Sequence, residues 1–229
     1  LVTDGGTLQI GIGSLGDAIG QALIVRDRHG DEYRRIMESL CPDGTAGREF
    51  GRFDQGLYGC SEMFVNGFLK LIEAGIIRRE VFADVAIQHL INEGRIADES
   101  VSADTLVALL GVGRIRSPLA AEDAAFLKRF GILRHDVQLV DGFLEREGHR
   151  CPADLTDANN LAVIADAMLG KRLTGGIFMT GGFFLGPRDF YERLRTMPPQ
   201  ELAKIDMTRI DFINQLYGQG DLKRAQRRK

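Results

Sequence analysis

The sequence lacks several features that would place it in a particular class of protein. Tryptophan is absent, and the three cysteines, Cys41, Cys60 and Cys151, are widely spaced among the 229 residues. An odd number of such cysteines argues against a disulfide framework and favours a reducing compartment such as the cytoplasm. Long hydrophobic runs and a signal peptide are not evident, so we expect neither a membrane span nor a membrane partner.

An excess of charge of either sign is also missing. The chain has 29 Lys and Arg residues against 32 Asp and Glu residues, which gives a formal net charge of −3. A protein without a positive excess is not expected to bind nucleic acid. Metal binding is not expected either, because the three cysteines and the four histidines show no ligand spacing.

Glycine is abundant, with 28 residues, and 44% of the residues are hydrophobic. A chain of this length can bury a sizeable core. The glycines separate segments of strand-like alternation from segments of helical spacing, which is typical of α/β folds. We therefore predict one α/β domain over residues 1–229, with a mostly parallel sheet and helices on both faces. The stretch 95–150 reads as a helical insertion in that domain.

The first 23 residues form the unit on which the rest of the prediction depends. Residues 7–12 alternate and include β-branched side chains, which predicts a short buried strand. Gly11 and Gly13 then form a turn, Ser14 has the side chain of an N-cap, and the following apolar spacing predicts a helix. Such a turn lets a ligand approach the backbone, and the helix N-terminus offers free N–H groups to an anion or oxyanion.

Gly11, Gly13 and Gly16 formally match the G-x-G-x-x-G fingerprint of dinucleotide-binding proteins. An ordinary strand–helix turn has the same pattern, so both interpretations stay open on the glycines alone. A dinucleotide site also needs an acidic residue about 20 residues further on, at the end of a second strand. Residues 26–32 are predicted to form a charged, solvated turn instead, which disfavours a nicotinamide-dependent oxidoreductase.

Several later elements are predicted from capping and turn signals. Ser61 has the side chain of an N-cap and predicts a helix that runs to about Glu73. Helices are also predicted over residues 120–130 and from Asp157 to Leu169. A strand over residues 174–179 should end at a turn formed by Gly181 and Gly182. Residues 210–213 alternate and predict another strand.

Three segments resemble a known family. They are DGGTLQIGIGSLGDAIGQAL at residues 4–23, CSEMFVNGFLKLIEAGII at residues 60–77, and GGFFLGPR at residues 181–188 with NQLYG at residues 214–218. In this order they resemble the C-terminal domain of the acetyl-CoA hydrolase/CoA-transferase family, in its bacterial subgroup. Together they cover about half of the chain. The match is specific for the family and weak for the substrate.

The resemblance implies a Rossmann-like three-layer domain of the CoA-transferase type. It implies an acyl-CoA hydrolase or CoA-transferase that acts on acetyl-CoA or another short-chain acyl-CoA, with coenzyme A and a carboxylic acid as the other reactants. Family sites lie between two similar domains, so a second such domain or a homo-oligomer is the expected protein partner. The residues expected to contact coenzyme A are Gly11, Ile12, Gly13, Gly181 and Gly182.

The resemblance also implies a carboxylate nucleophile, which forms an acyl anhydride with the substrate. Asp211 stands where the family has a glutamate, and Glu62 is the second candidate. Aspartate is shorter by one methylene, and a misplacement of about 1 Å can cost about a hundredfold in rate. Each carboxylate also has a structural interpretation, with Asp211 as an exposed strand residue and Glu62 as a residue favoured by a helix dipole.

Two further expectations concern the extent of the chain. It starts at Leu1 rather than Met, and residues 211–229 do not contain the glycine loop with which the family holds coenzyme A. We therefore expect a fragment of a larger protein that is weakly active or inactive by itself. The alternative function is a coenzyme A-binding or assembly domain without catalysis.

Overall fold

The computed structural model describes residues 2–45, 47–209 and 221–227. The chain divides into two compact units, of which the first comprises Leu1–Val81 and Ile177–Lys229. The second unit, Phe82–Gly176, is inserted between these two parts and extends beyond both ends of the predicted 95–150 stretch.

Strands and helices alternate in both parts of the first unit. The first part contains β1 (Thr7–Leu8), α1 (Ser14–Arg28), α2 (Gly30–Leu40), a 3-10 turn (Pro42–Gly44), β2 (Tyr58–Val65) and α3 (Asn66–Glu73). The second unit contains α4 (Val85–Asn92), α5 (Ala103–Gly111), α6 (Ala121–Arg129), β3 (Gln138–Val140), β4 (Phe143–Arg146), β5 (His149–Pro152) and α7 (Ala158–Ala167). The first unit then continues with β6 (Met179–Leu185), α8 (Arg188–Thr196), α9 (Pro199–Leu202), β7 (Ile205–Met207) and α10 (Asp221–Gln226).

The first unit is built on a parallel sheet with the strand order β1-β2-β6-β7. Helices flank this sheet, so the predicted α/β, Rossmann-like class is confirmed. The two long strands, β2 and β6, are neighbours, and Ser61 pairs with Gly181 in their register. Parallel strands covered by helices are buried on both faces, which explains the apolar run of β2.

The core of the first unit is rich in phenylalanine. Phe64 on β2, Phe68 on α3 and Phe190 on α8 are each fully buried. The ring of Phe64 lies 6.2 Å from that of Phe68 and 5.7 Å from that of Phe190, in edge-on arrangements that aromatic rings prefer. These contacts pack α3 and α8 against β2 of the sheet.

The second unit has its own core and a different sheet. Its strands β3, β4 and β5 form an antiparallel meander, and its helices α4–α7 contribute buried residues to one apolar cluster. The prediction of a helical insertion did not include this sheet. Asp157 caps α7, because its carboxylate accepts hydrogen bonds from the backbone N–H groups of Asn159 and Asn160, as predicted.

Two of the predicted elements near the candidate site are wrong. Ser61 does not cap a helix, because β2 runs from Tyr58 to Val65 and the helix begins only at Asn66. Gly181 and Gly182 do not form a turn, because both lie within β6. In both cases pairing with neighbouring parallel strands outweighs the local capping and turn signals.

Candidate functional site

The loop between β1 and α1 is the centre of the candidate site. Ile10 is buried, whereas Gly11, Ile12 and Gly13 are exposed. Gly13 has φ 95°, a conformation that residues with a Cβ atom rarely adopt. It is the N-cap of α1. A Cβ added at Gly11 would meet no atom within 4 Å, so this turn is open to an approaching ligand.

The glycine at position 16 is required by packing. It is buried in the first turn of α1, and a Cβ built on it would overlap the backbone carbonyl oxygen of Gly11. Gly20, one turn further on, faces Gly67 of α3, whose Cα lies 3.9 Å from the position of an added Cβ. The glycine spacing therefore allows α1 to lie close to its own turn and to α3.

The N-terminus of α1 presents backbone donors at this turn. The first intrahelical bond runs from the N–H of Asp17 to the carbonyl of Gly13, at 3.2 Å. The N–H groups that precede Asp17 in the first turn have no intrahelical acceptor by the geometry of a helix. The predicted N-cap at Ser14 is wrong, because Gly13 takes that position and, within the described residues, no side chain caps this end. Asp17 is an acidic residue in the same turn and offsets part of the positive end of the helix dipole.

Glu62 lies on β2 beside the turn. The hydroxyl of its neighbour Ser61 donates a hydrogen bond of 3.0 Å to the carbonyl of Ile10, and Ser61 is buried. This bond places the end of the β1 segment level with the middle of β2. Glu62, which is half-buried, therefore follows directly after the point where the two segments meet. Its predicted position at a helix N-terminus is wrong, because the residue is in a strand.

Gly181 and Gly182 lie at the same level on the next strand. Gly181 pairs with Ser61, and a Cβ at Gly181 would lie 3.3 Å from the sulfur of Met207 on β7 and 3.4 Å from Cβ of Phe64. Close packing between strands explains this glycine without a ligand. Gly182 is half-buried and follows at the register position of Glu62.

All of the described candidate residues thus lie at one level of three neighbouring strands. The turn at Gly11–Gly13 follows β1, Glu62 lies on β2, and Gly181 and Gly182 lie on β6. Three exposed apolar side chains occur in the same segments, Ile12 (59% exposed), Leu15 (73%) and Phe183 (42%). Asp211, the other candidate nucleophile, lies outside the described residues.

A buried polar cluster that the sequence did not indicate lies on the same two long strands. The hydroxyl groups of Tyr58 and Thr180 are 2.6 Å apart, and the ammonium of Lys223 on α10 donates to the Tyr58 hydroxyl at 3.2 Å. All three residues are buried. Burial raises the pKa of the Tyr58 phenol and lowers the pKa of the Lys223 ammonium, since both charged forms lose hydration.

Two cavities lie away from the glycine turn. One, of about 170 Å³, is in the first unit and includes Arg26 near the other end of α1. The other, of about 540 Å³, is in the second unit, between the end of α6 and the segment after α7.

The described part of the chain adds no metal-ligand group to the site. It contains no cluster of three or more His, Cys, Asp and Glu side chains arranged to hold a metal ion. In the same residues, every helix is too short or too polar to cross a bilayer.

Comparison with known proteins adds no relative to this chain. It was compared with protein-family models, with curated proteins and with solved structures. No family model, no curated protein and no solved structure matches it.

Proposed function

We propose that this chain forms an acyl-CoA site of the acetyl-CoA hydrolase and CoA-transferase type, acting on acetyl-CoA or another short-chain acyl-CoA. One observation carries the proposal. The three segments that resemble this family supply three neighbouring strands, β1, β2 and β6, of one parallel sheet. Open α/β sheets bind ligands beyond the carboxyl ends of their strands. The exposed turn at Gly11–Gly13 lies at such an end.

The residues of the turn have separate parts in this proposal. The backbone N–H groups at the start of α1 would hold either a phosphate of coenzyme A or the thioester oxygen as it becomes negative. The missing side chain at Gly11 leaves room for the ligand to reach them. Ile12 and Leu15 would contact the apolar part of the substrate, because both are exposed beside the turn.

The chemistry requires a carboxylate nucleophile. Its oxygen attacks the thioester carbonyl, the C–S bond breaks, and the coenzyme A thiolate departs. The acyl group is then joined to the protein carboxylate as an anhydride. In a transferase the thiolate then attacks the protein carbonyl of the anhydride, which releases the acyl group as a carboxylate and leaves an enzyme thioester. In a hydrolase, water opens the anhydride, and one of the released protons goes to the thiolate. Glu62 and Asp211 are the candidates.

A coenzyme A-binding or assembly domain without catalysis is the second candidate function. It is favoured by Asp211, because the shorter aspartate side chain replaces the expected glutamate. Both functions require a site for coenzyme A at the turn, and both suit a protein of a reducing compartment such as the cytoplasm. A second similar domain, or a second copy of the chain, is the proposed partner in either case.

Binding at the turn predicts a selective loss of coenzyme A in a Gly11→Ala variant. The added methyl group meets no protein atom but occupies the space through which the ligand approaches. A ligand at 100 times its Kd raises the free energy of unfolding by about 2.7 kcal/mol. We expect coenzyme A and acetyl-CoA to raise the Tm of the wild-type chain and to have little effect on Gly11→Ala.

Gly51→Ala is the matched control. Gly51 is also exposed, has an ordinary φ, and has no atom within 4 Å of an added Cβ. Its variant should respond to coenzyme A as the wild type does. NAD, which shares a pyrophosphate with coenzyme A, controls for binding through that group alone. An equal response to NAD, or an equal response of both glycine variants, would contradict a coenzyme A site at the turn.

The nucleophile is tested by Asp211→Glu. If residue 211 attacks the thioester, the longer side chain should raise acetyl-CoA turnover by about a hundredfold over the residual wild-type rate. Mass spectrometry of the quenched protein should then find coenzyme A attached at residue 211. Asp206→Glu, the same change on β7, should leave turnover unchanged. Coenzyme A binding without any gain in turnover would favour the non-catalytic function.

A further inference from the structure

The second unit contains a cleft with a concentration of positive charge. The cleft has a volume of about 540 Å³, within the range of about 300–1,000 Å³ typical of small-molecule sites. One acidic residue, Asp136, lines it together with five cationic residues. The cationic residues are Lys128, Arg134, Arg146, Lys171 and Arg172. We call this feature the basic cleft.

The surrounding unit is acidic, so this concentration is not a consequence of composition. Residues 82–176 contain 14 Asp and Glu residues but only 10 Lys and Arg residues. Half of those cations line one cleft, and one of the 14 acidic residues accompanies them. Like charges held close together repel one another unless a counter-charge is present.

Two acidic side chains form ion pairs with Arg146, and the charge of Asp136 also interacts with that of Arg134. Asp136 accepts a hydrogen bond from Nε of Arg146 at 2.9 Å, and Glu147 pairs with Nη1 of the same residue at 2.8 Å. The bond from Arg146 holds the pKa of the Asp136 carboxyl below its usual range, so this carboxylate stays ionised and bound to Arg146. Within the described residues, no carboxylate pairs with Lys128, Arg134 or Lys171.

Two glycines allow the backbone segments that line the cleft to lie close together. Gly131 and Gly170 line the cleft, and a Cβ on Gly170 would overlap the carbonyl oxygen of Gly131. Gly131 itself has φ 69°. Nε of Arg134 donates to the carbonyl of Leu169 at 2.9 Å, which fixes its guanidinium at the cleft. Arg134 is thus held in place where these two segments meet.

We propose that the basic cleft binds a small molecule through a chain of two or more phosphates. Arg and Lys side chains are the usual protein partners of phosphate, and three of those in the lining form no close ion pair with a carboxylate among the described residues. Phe, Tyr and Trp are absent from the described lining, and the small imidazole of His135 is its one aromatic ring. The phosphates, rather than a base or sugar, are the recognised part. This site is separate from the proposed acyl-CoA site, which belongs to the first unit.

Calorimetric titration with inorganic pyrophosphate tests the proposal. We expect saturable binding at 50 mM salt that weakens about tenfold or more at 500 mM, since salt screens partly exposed charges. ADP should bind with similar affinity. The double variant Lys128→Gln/Lys171→Gln should lower the affinity for both by about tenfold or more, because each cation contributes a charge-assisted hydrogen bond.

Arg129→Gln provides the matched control. Arg129 is the next residue of α6, is exposed, and has its guanidinium 5.3 Å from the ring centre of Phe130 rather than in the cleft. Unchanged affinity in this variant supports the proposal. The proposal is overturned by the absence of pyrophosphate binding at 50 mM salt, by equal losses in both variants, or by sulfate binding as tightly as pyrophosphate. ADP binding more than tenfold tighter than pyrophosphate would also overturn it, since the base would then be recognised.

Discussion

Phe190→Ala is expected to lower the free energy of unfolding of the first unit by about 3–5 kcal/mol. Phe190 is fully buried at the start of α8, with its ring 5.7 Å from that of Phe64 and 6.4 Å from that of Phe184. Removing the ring leaves a cavity between the helix and the sheet. Urea unfolding followed by circular dichroism measures the loss.

Phe183→Ala is the control for this change. Phe183 precedes Phe184 on the same strand but is 42% exposed. Its truncation removes the same number of atoms and creates no enclosed cavity, so we expect a loss below about 1 kcal/mol. If the two variants unfolded at the same urea concentration, α8 would not be packed on β6 through Phe190.

Gly16→Ala is expected to destabilise the first unit by about 2 kcal/mol. The new methyl group would overlap the carbonyl oxygen of Gly11, and a backbone atom cannot rotate away as a side chain can. Overpacking of this kind costs about 1–3 kcal/mol. Thermal and urea unfolding should both shift towards easier unfolding.

The same substitution one turn later should have the opposite effect. Gly20 lies in the interior of α1, and an added Cβ would be 3.9 Å from the nearest atoms, an ordinary contact. Replacing a helix-interior glycine by alanine stabilises a protein by about 0.5–1 kcal/mol when space permits. Destabilisation by both substitutions would mean that α1 leaves no room for a methyl group beside α3, and stabilisation by both would contradict the close turn at Gly11.

The opening strand–turn–helix unit was predictable from the sequence because its signals are local. The helix predicted after Gly13 begins at Ser14, and the strand appears as the shorter β1. The caps of α7 and the limits of α6 were similarly predictable to within one or two residues. In each case the residues that decide the structure lie within a few positions of one another.

The neighbourhood of Glu62 was not predictable in the same way. Residues 58–73 form one largely apolar stretch, and Ser61 has the side chain of a helix cap. The boundary at Asn66 depends on β2 pairing with β1 and with β6, and β6 lies more than 100 residues further along the chain. A local pattern contains no information about that pairing.

The basic cleft was hidden for a similar reason. Its cations lie at positions 128, 134, 146, 171 and 172, and in the sequence each stands among acidic residues or apolar segments. Only the folding of α6, the antiparallel sheet and the segment after α7 brings them to one place. The net charge of −3 describes the whole chain but does not show how the charges are distributed in space.

The insertion has a consequence for how the chain is made. Val81 and Ile177, where the chain leaves and re-enters the first unit, exchange two backbone hydrogen bonds of 2.8 and 3.0 Å. The parallel sheet needs β6, which a ribosome delivers only after the whole second unit. Because domains fold as units during synthesis, the second unit should acquire its structure before β6, one of the two neighbours of β2, has been synthesised. A folded insertion with adjoining ends would then shorten the loop that the sheet has to close, which makes the second unit a folding aid for the first.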